Sequence, residues 1–267
     1  MDRPKLPMLG GKMATTITEF PAEKPTDRAF FALFIALCWT GVLMGFFPAS
    51  GARMMGKADY DAPLILHIHA FAFVGWLTLL TIQILLIRKD RRDVHMKLGI
   101  AGLVLVPIMA YSGLAAELYS QRFYIKRDAE GLDFFILPLF YTVMFPAFAL
   151  TALAFARRDS STHKRLILMS TTLIVGAAYA RWWGAALERM FGDGYWGMIL
   201  NSFMGTNLIL ALAVGYDVAT RRRAHRAYWI ALPIIIAGEL LTSWIYHAPW
   251  WPELSRALIE VRLPLSA

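Results

Sequence analysis

Seven separate stretches of this chain, at roughly 30–48, 64–87, 98–117, 134–155, 166–187, 195–216 and 227–247, are apolar over about the 20 residues a helix needs to cross a bilayer. Lipid offers no partner to an exposed backbone amide or carbonyl, so each stretch must close its hydrogen bonds internally as a helix. The expected fold is therefore all-α, an integral membrane bundle of seven transmembrane helices. Charged residues make up only 17% of the chain, well below the quarter or so of an average soluble domain. Pro107, Pro138, Pro146 and Pro233 fall inside these runs, where kinks are expected.

The basic residues test this reading independently. They form short groups between the runs: Arg88, Lys89, Arg91, Arg92 and Lys97; then Arg157, Arg158, Lys164 and Arg165; then Arg221, Arg222, Arg223 and Arg226. Together with Arg3, Lys5, Lys12, Lys24 and Arg28, these lie on one side of the membrane if the segments alternate. The other side holds fewer: Arg53, Lys57, Arg122, Lys126, Arg127, Arg189, Arg256 and Arg262. The Lys and Arg bias then places the N-terminus in the cytoplasm and the C-terminus outside. It addresses the net positive charge to the membrane surface and argues against a nucleic-acid partner. The expected location is a bacterial inner membrane.

Residues 1–29 carry Pro4, Pro7, Pro21 and Pro25 without apolar periodicity and read as a loosely ordered cytoplasmic arm. The helical domain is expected over 30–248 and a short outer tail over 249–267. The first apolar run starts late and is long for a cleaved leader. Cys38, the single cysteine, excludes an internal disulfide and reads as a small buried hydrophobe. Most of the tryptophans sit near run ends, where indole rings prefer the headgroup region.

Three basic loops end alike, with His95, His163 and His225 each just before an apolar run. The spacing suggests a duplicated helical hairpin. These histidines either form a site on the cytoplasmic side or cap helix starts and meet lipid phosphate, with Ser161 or Thr162 able to serve as an N-cap.

A second group of polar residues falls in the outer half. His67 and His69 are two apart and point to different sides of a helix. His69, Trp76 and Gln83 recur every seven residues, which makes His69 the inward one. Glu239, Ser243 and His247 share a face of the last run, with Glu239 about 12 Å deeper than His247. Arg181 in the fifth run lies at a matching depth and is placed to meet Glu239. Glu188 shares its side, and Glu117 and Asn201 complete the group. Ionisable residues at membrane depth mark either a buried pair or a functional site.

The pattern His67-x-His69-Ala70, the pattern Arg92-x-x-His95-x-x-x-Gly99, and His163-Lys164-Arg165-Leu166 followed by Ala180-Arg181 resemble those of a functionally uncharacterised group of bacterial multi-pass inner-membrane proteins. That resemblance covers nearly the whole chain and implies no known activity. Histidines near both faces also resemble, superficially, the cytochrome b561 type of quinone or ferric reductase, which implies haem ligation. On that reading His69 and His247 serve an outer haem, His95 and His163 an inner one, and Arg181 neutralises a propionate. Other readings stay open. A metal site would draw on His67, His69, His247, Glu239 or Glu117, although no His-Glu-x-x-His run supports it. A proton-coupled transporter would use Arg181 and Glu239. A noncatalytic subunit of a larger membrane complex would bind protein, quinone, pigment or lipid on its aromatic faces.

Overall fold

The computed structural model describes Phe20 and residues 24–58, 60–126 and 131–260. Those residues form nine α-helices: α1 (Asp27–Met54), α2 (Leu64–Arg88), α3 (Arg92–Leu98), α4 (Ile100–Ile125), α5 (Ile136–Phe155), α6 (Ser160–Phe191), α7 (Tyr195–Arg221), α8 (Arg226–Tyr246) and α9 (Trp251–Glu260). A 3₁₀ turn, Leu132–Phe135, leads into α5. Seven segments are long and apolar enough to cross a bilayer, α3 with α4 counting as one and the 3₁₀ turn with α5 as another. The helices run unbroken through Pro107, Pro146 and Pro233. Two expected boundaries change. Helix α1 begins at Asp27, inside the stretch read as a loose arm, and much of the stretch read as a tail is the helix α9. The rest of the arm, apart from Phe20 and residues 24–26, lies outside the described residues, as do Arg127 and Arg262.

Helix α6 is the axis of the bundle, packed by α1, α5, α7 and α8. It has the lowest mean hydropathy of the seven segments, 1.2, and the largest buried share, 67%; α2 has 2.2 and 22%. The inversion is physical. A helix facing lipid must be apolar all round, whereas one enclosed by protein can carry hydroxyls that bond locally. Ser170 donates to the Ile167 carbonyl, Thr172 to that of Leu168, and Thr171 accepts from the Trp76 indole at 3.1 Å.

Close approach to α6 depends on small residues. Gly41 and Gly45 let α1 lie against Tyr179 and the Ala178 backbone, and Gly205 lets α7 lie under the Tyr179 side chain. The Tyr179 hydroxyl in turn donates to the Leu37 carbonyl of α1 at 2.9 Å.

Ion pairs tie together the end of the bundle that carries Arg88 and Arg158, hereafter the basic end. Arg28 of α1 reaches Asp90 beyond α2, and Arg226 of α8 reaches Asp159 before α6. Deeper in, Lys164, Asp27, Arg221, Asp217 and Arg165 alternate in sign in a single chain of contacts. Asp27, Asp217, Arg165 and Arg221 have side chains no more than 3% exposed. Arg165 holds both oxygens of Asp217, at 2.6 and 2.8 Å, and Arg221 both oxygens of Asp27, at 2.7 and 2.6 Å. Tyr216 adds a bond to Asp27, and the Phe20 ring lies 4.5 Å from the Arg165 guanidinium.

The helix starts differ from expectation. The cap of α6 is Asp159, not Ser161 or Thr162: its carboxylate accepts from both of their amides at 3.0 Å. Burial pushes that carboxyl up, but the Thr162 hydroxyl and amide, Arg226 and the Ser161 amide outweigh it and bring it to about 2. His225 caps α8 through Nδ1, which accepts from the Ala227 amide at 3.1 Å and so must be unprotonated. Burial, with the Arg165 charge, lowers it from an ordinary 6.5 to about 4. Between those values the unfolded chain binds a proton that the folded one refuses, so the stability from this cap is complete above about pH 6.5 and is lost as pH falls toward 4. His225→Asn keeps a cap without a titrating ring. Thermal unfolding in detergent is therefore expected to show a smaller loss of Tm between neutral and mildly acidic pH in the variant than in the parent.

Helix α9 folds back at the opposite end. Trp251, Ser255 and Ile259 are its buried stripe, held by Trp251 Nε1 to the Asp133 carbonyl, Ser255 to the Leu132 carbonyl and Arg122 Nε to the Ile259 carbonyl. Trp250, Leu254 and Leu258 are exposed on another face.

Candidate functional site

The stripe His69, Trp76 and Gln83 on α2 faces the interior, as its seven-residue spacing requires, and His67 is exposed. Trp76 is 3% exposed and meets Phe145 edge to face at 5.3 Å. Together with the Thr171 bond, it forms a wall between two polar regions, one toward each end of the bundle.

On the basic side of that wall is a half-open cavity of about 630 Å³ lined by α2, α3, α4, α5 and α6. Trp76, Leu79, Leu80, Leu103, Leu153 and Ile167 give it an apolar body. Gly102 leaves room at its wall, since a side chain there would contact Leu153 and Trp76. His95 and His163 both line it, with Gln83 between α2 and α3 and with Arg157 and Arg158 at the exposed end.

The two imidazoles are positioned by backbone. His163 Nδ1 lies 2.7 Å from the Ala152 carbonyl, which can only accept, so Nδ1 carries the proton and Nε2 keeps the lone pair. Gln83 Nε2 donates to the His95 carbonyl at 3.1 Å and fixes α3 against α2. His95 Nδ1 and Gln83 Oε1 are buried without a hydrogen-bond partner. Of the three histidines that looked alike in sequence, two share a cavity and the third, His225, is a cap.

Toward the other end the expected polar group splits in two. One part is a staple. Ser243 donates to the Tyr195 carbonyl at 2.8 Å, Tyr195 donates to that of Leu240, and the His247 ring contacts the Ser243 carbonyl at 2.7 Å and the Asp193 carbonyl at 3.0 Å. These bonds fasten α8 to the start of α7, and both His247 nitrogens face carbonyl oxygens. His69 instead packs on Phe73, with ring centroids 4.2 Å apart, and on Gly113 of α4. The contacts of His69 and His247 share no residue, so the expected outer pair is not brought together.

The other part is a buried layer. Glu239 is 3% exposed and accepts from Asn207 Nδ2 at 2.9 Å, not from Arg181. Arg181 donates to the Ala177 carbonyl and lies over Phe46 at 4.8 Å. The expected Arg181–Glu239 pair is absent among the described ion pairs. Tyr141 of α5 enters this layer, its hydroxyl 3.5 Å from the Ser202 carbonyl. Glu117 accepts from Gln121, Asn201 accepts from the Ser202 hydroxyl at 2.8 Å, and Glu188 is exposed at the end of α6.

The chain matches no family model, no characterised protein and no solved structure. Its site is defined by its own geometry.

Among the described residues no group of three or more His, Cys, Asp or Glu could hold a metal ion. The metal site expected from His67, His69 and Glu239 is not assembled: His67 is on the exposed side, His69 packs on α4, and Glu239 is turned to α7. What the cavity at the basic end does present is two imidazoles lining an apolar space and two guanidinium groups at its rim. Its volume falls within the 300–1,000 Å³ typical of cofactor pockets.

Sequence reasoning missed Tyr141, Asn207, Asp27 and Asp217. Asn207 was visible as a polar residue inside an apolar run, and Asp217, just past its end, stands four before Arg221, the spacing of an ion pair on one helix face.

Proposed function

We propose that this chain is a multi-pass membrane redox protein whose cavity at the basic end would hold a haem through His95 and His163. The observation that carries the reading is that these imidazoles, from different helices, line one apolar cavity. The residues fit the group. A ligating histidine ordinarily donates its other N–H to a carbonyl, as His163 does to Ala152. Arg157 and Arg158 suit propionates, and the leucines with Trp76 suit a porphyrin face. Haem supplies one-electron oxidation and reduction when bound. The chain's own part is to fix the two ligands, exclude water with the Trp76 and Phe145 wall, and present the cavity edge to a partner at the arginine rim. The Lys and Arg bias supports a cytoplasmic rim in a bacterial inner membrane.

Protein purified from haem-sufficient cells is expected to show a sharp Soret band that shifts on reduction with dithionite. His95→Ala and His163→Ala are each expected to abolish the bis-histidine spectrum, while His67→Ala keeps it. A colourless preparation would remove the reading, and so would a spectrum indifferent to both cavity histidines.

A further inference from the structure

The buried layer on the far side of the Trp76 wall plays no part in holding haem, yet it contains the least satisfied carboxylate in the described bundle. Glu239 Oε2 accepts from Asn207, and Oε1 is buried without a hydrogen-bond partner. Ionised, the group leaves an acceptor unmet; protonated, it leaves a hydroxyl donor unmet. The protein therefore completes neither state. An ion pair would settle the matter in favour of the charged form, but the described ion pairs give Glu239 none. By contrast, the buried acids Asp27 and Asp217 at the basic end have two cations each.

Three helices pack on α8: α5, α6 and α7. Asn207 of α7 bonds Glu239, and α5 and α6 contribute Tyr141 and Arg181 to the same half of the bundle. The Tyr141 hydroxyl sits at the meeting of α5, α6 and α7, 3.5 Å from the Ser202 carbonyl and against Gly176. Thr206, next to Asn207 on α7 and facing Gly176, has its hydroxyl oxygen unpartnered as well. Arg181 itself is exposed. Two hydroxyls, those of Tyr141 and Thr206, thus meet at Gly176 beside the residue that bonds the carboxyl, in the half that carries Arg181 and His69.

We propose that Glu239 is a proton-exchange site, loaded and unloaded from the compartment on the Arg181 side through the Tyr141 and Thr206 hydroxyls. The proposal stands apart from haem binding and is tested without it. Infrared difference spectra of the protein in vesicles, recorded as external pH is stepped between about pH 5 and about pH 9, read the carbonyl stretch of a protonated carboxylic acid directly. The expected result is a deuterium-sensitive band that appears and disappears reversibly with the pH of the Arg181 side and is missing in Glu239→Gln. Asn207→Leu removes the donor to the carboxyl and is expected to move the band to higher frequency. A band absent at every pH, unchanged across the range, unaffected by both substitutions, or responsive only to the pH of the basic side would overturn the proposal.

Discussion

Asp217→Ala is expected to be the most damaging single substitution in the bundle, lowering stability by about 3–5 kcal/mol. The carboxylate holds Arg165 through two bonds and reaches Arg221 at 3.2 Å, and both arginines are almost wholly buried. Its removal leaves two guanidinium groups facing each other with only Asp27 to neutralise one of them. The cost comes from an uncompensated buried charge more than from the bonds lost, so a second substitution separates the two contributions. In Asp217→Leu combined with Arg165→Leu, both charges leave together and apolar atoms occupy part of the space. Thermal unfolding in detergent is expected to place the double variant above Asp217→Ala. A double-mutant cycle with Arg165 is expected to give a coupling of at least about 1 kcal/mol, within the range for contacting residues. Additive losses would mean that the cluster is solvated and that its geometry contributes little.

Gly205→Ala is expected to cost about 1–3 kcal/mol, although alanine is the better helix former by about 1 kcal/mol on propensity alone. A Cβ at this position would overlap Tyr179 at its own Cβ, next to backbone, where rotating the ring gives no relief. Helix α7 would have to move off α6 along the most extensive packing surface in the bundle. Gly45→Ala meets the Ala178 carbonyl and is expected to behave likewise, whereas Gly75, with open space around it, is expected to accept alanine without loss. The comparison of the three in one thermal series checks the packing: equal effects at Gly75 and Gly205 would rule out close approach as the cause.

The spans were legible because lipid leaves the chain no choice. A run of about 20 apolar residues must be helical, and all seven expected runs are helical, with ends that shift by several residues. The inward direction of His69, Trp76 and Gln83 was legible from a spacing of seven, which returns to one side of a helix. Ends were less legible, since Asp27 and Arg165 are polar residues that hydropathy assigns to water. Their partners, Arg221 and Asp217, lie on α7, and no local pattern signals a bond across so long an interval of sequence.

The candidate site shows the same division. His95 and His163 were marked by sequence, and so were Glu239 and Arg181, because polar groups are conspicuous against apolar runs. Depth along a helix follows from residue number through a fixed rise, so the two groups could be assigned to opposite halves. Rotation about the axis and the choice of neighbour do not follow, because they depend on how helices pack. Packing turned Glu239 to Asn207, fastened His247 to the Asp193 and Ser243 carbonyls, made His225 a cap, and set His95 and His163 on one cavity. Apolar length and charge placement, which act through the solvent, were determined by the sequence alone; partnership between helices, which acts through contact, was decided only by the tertiary structure.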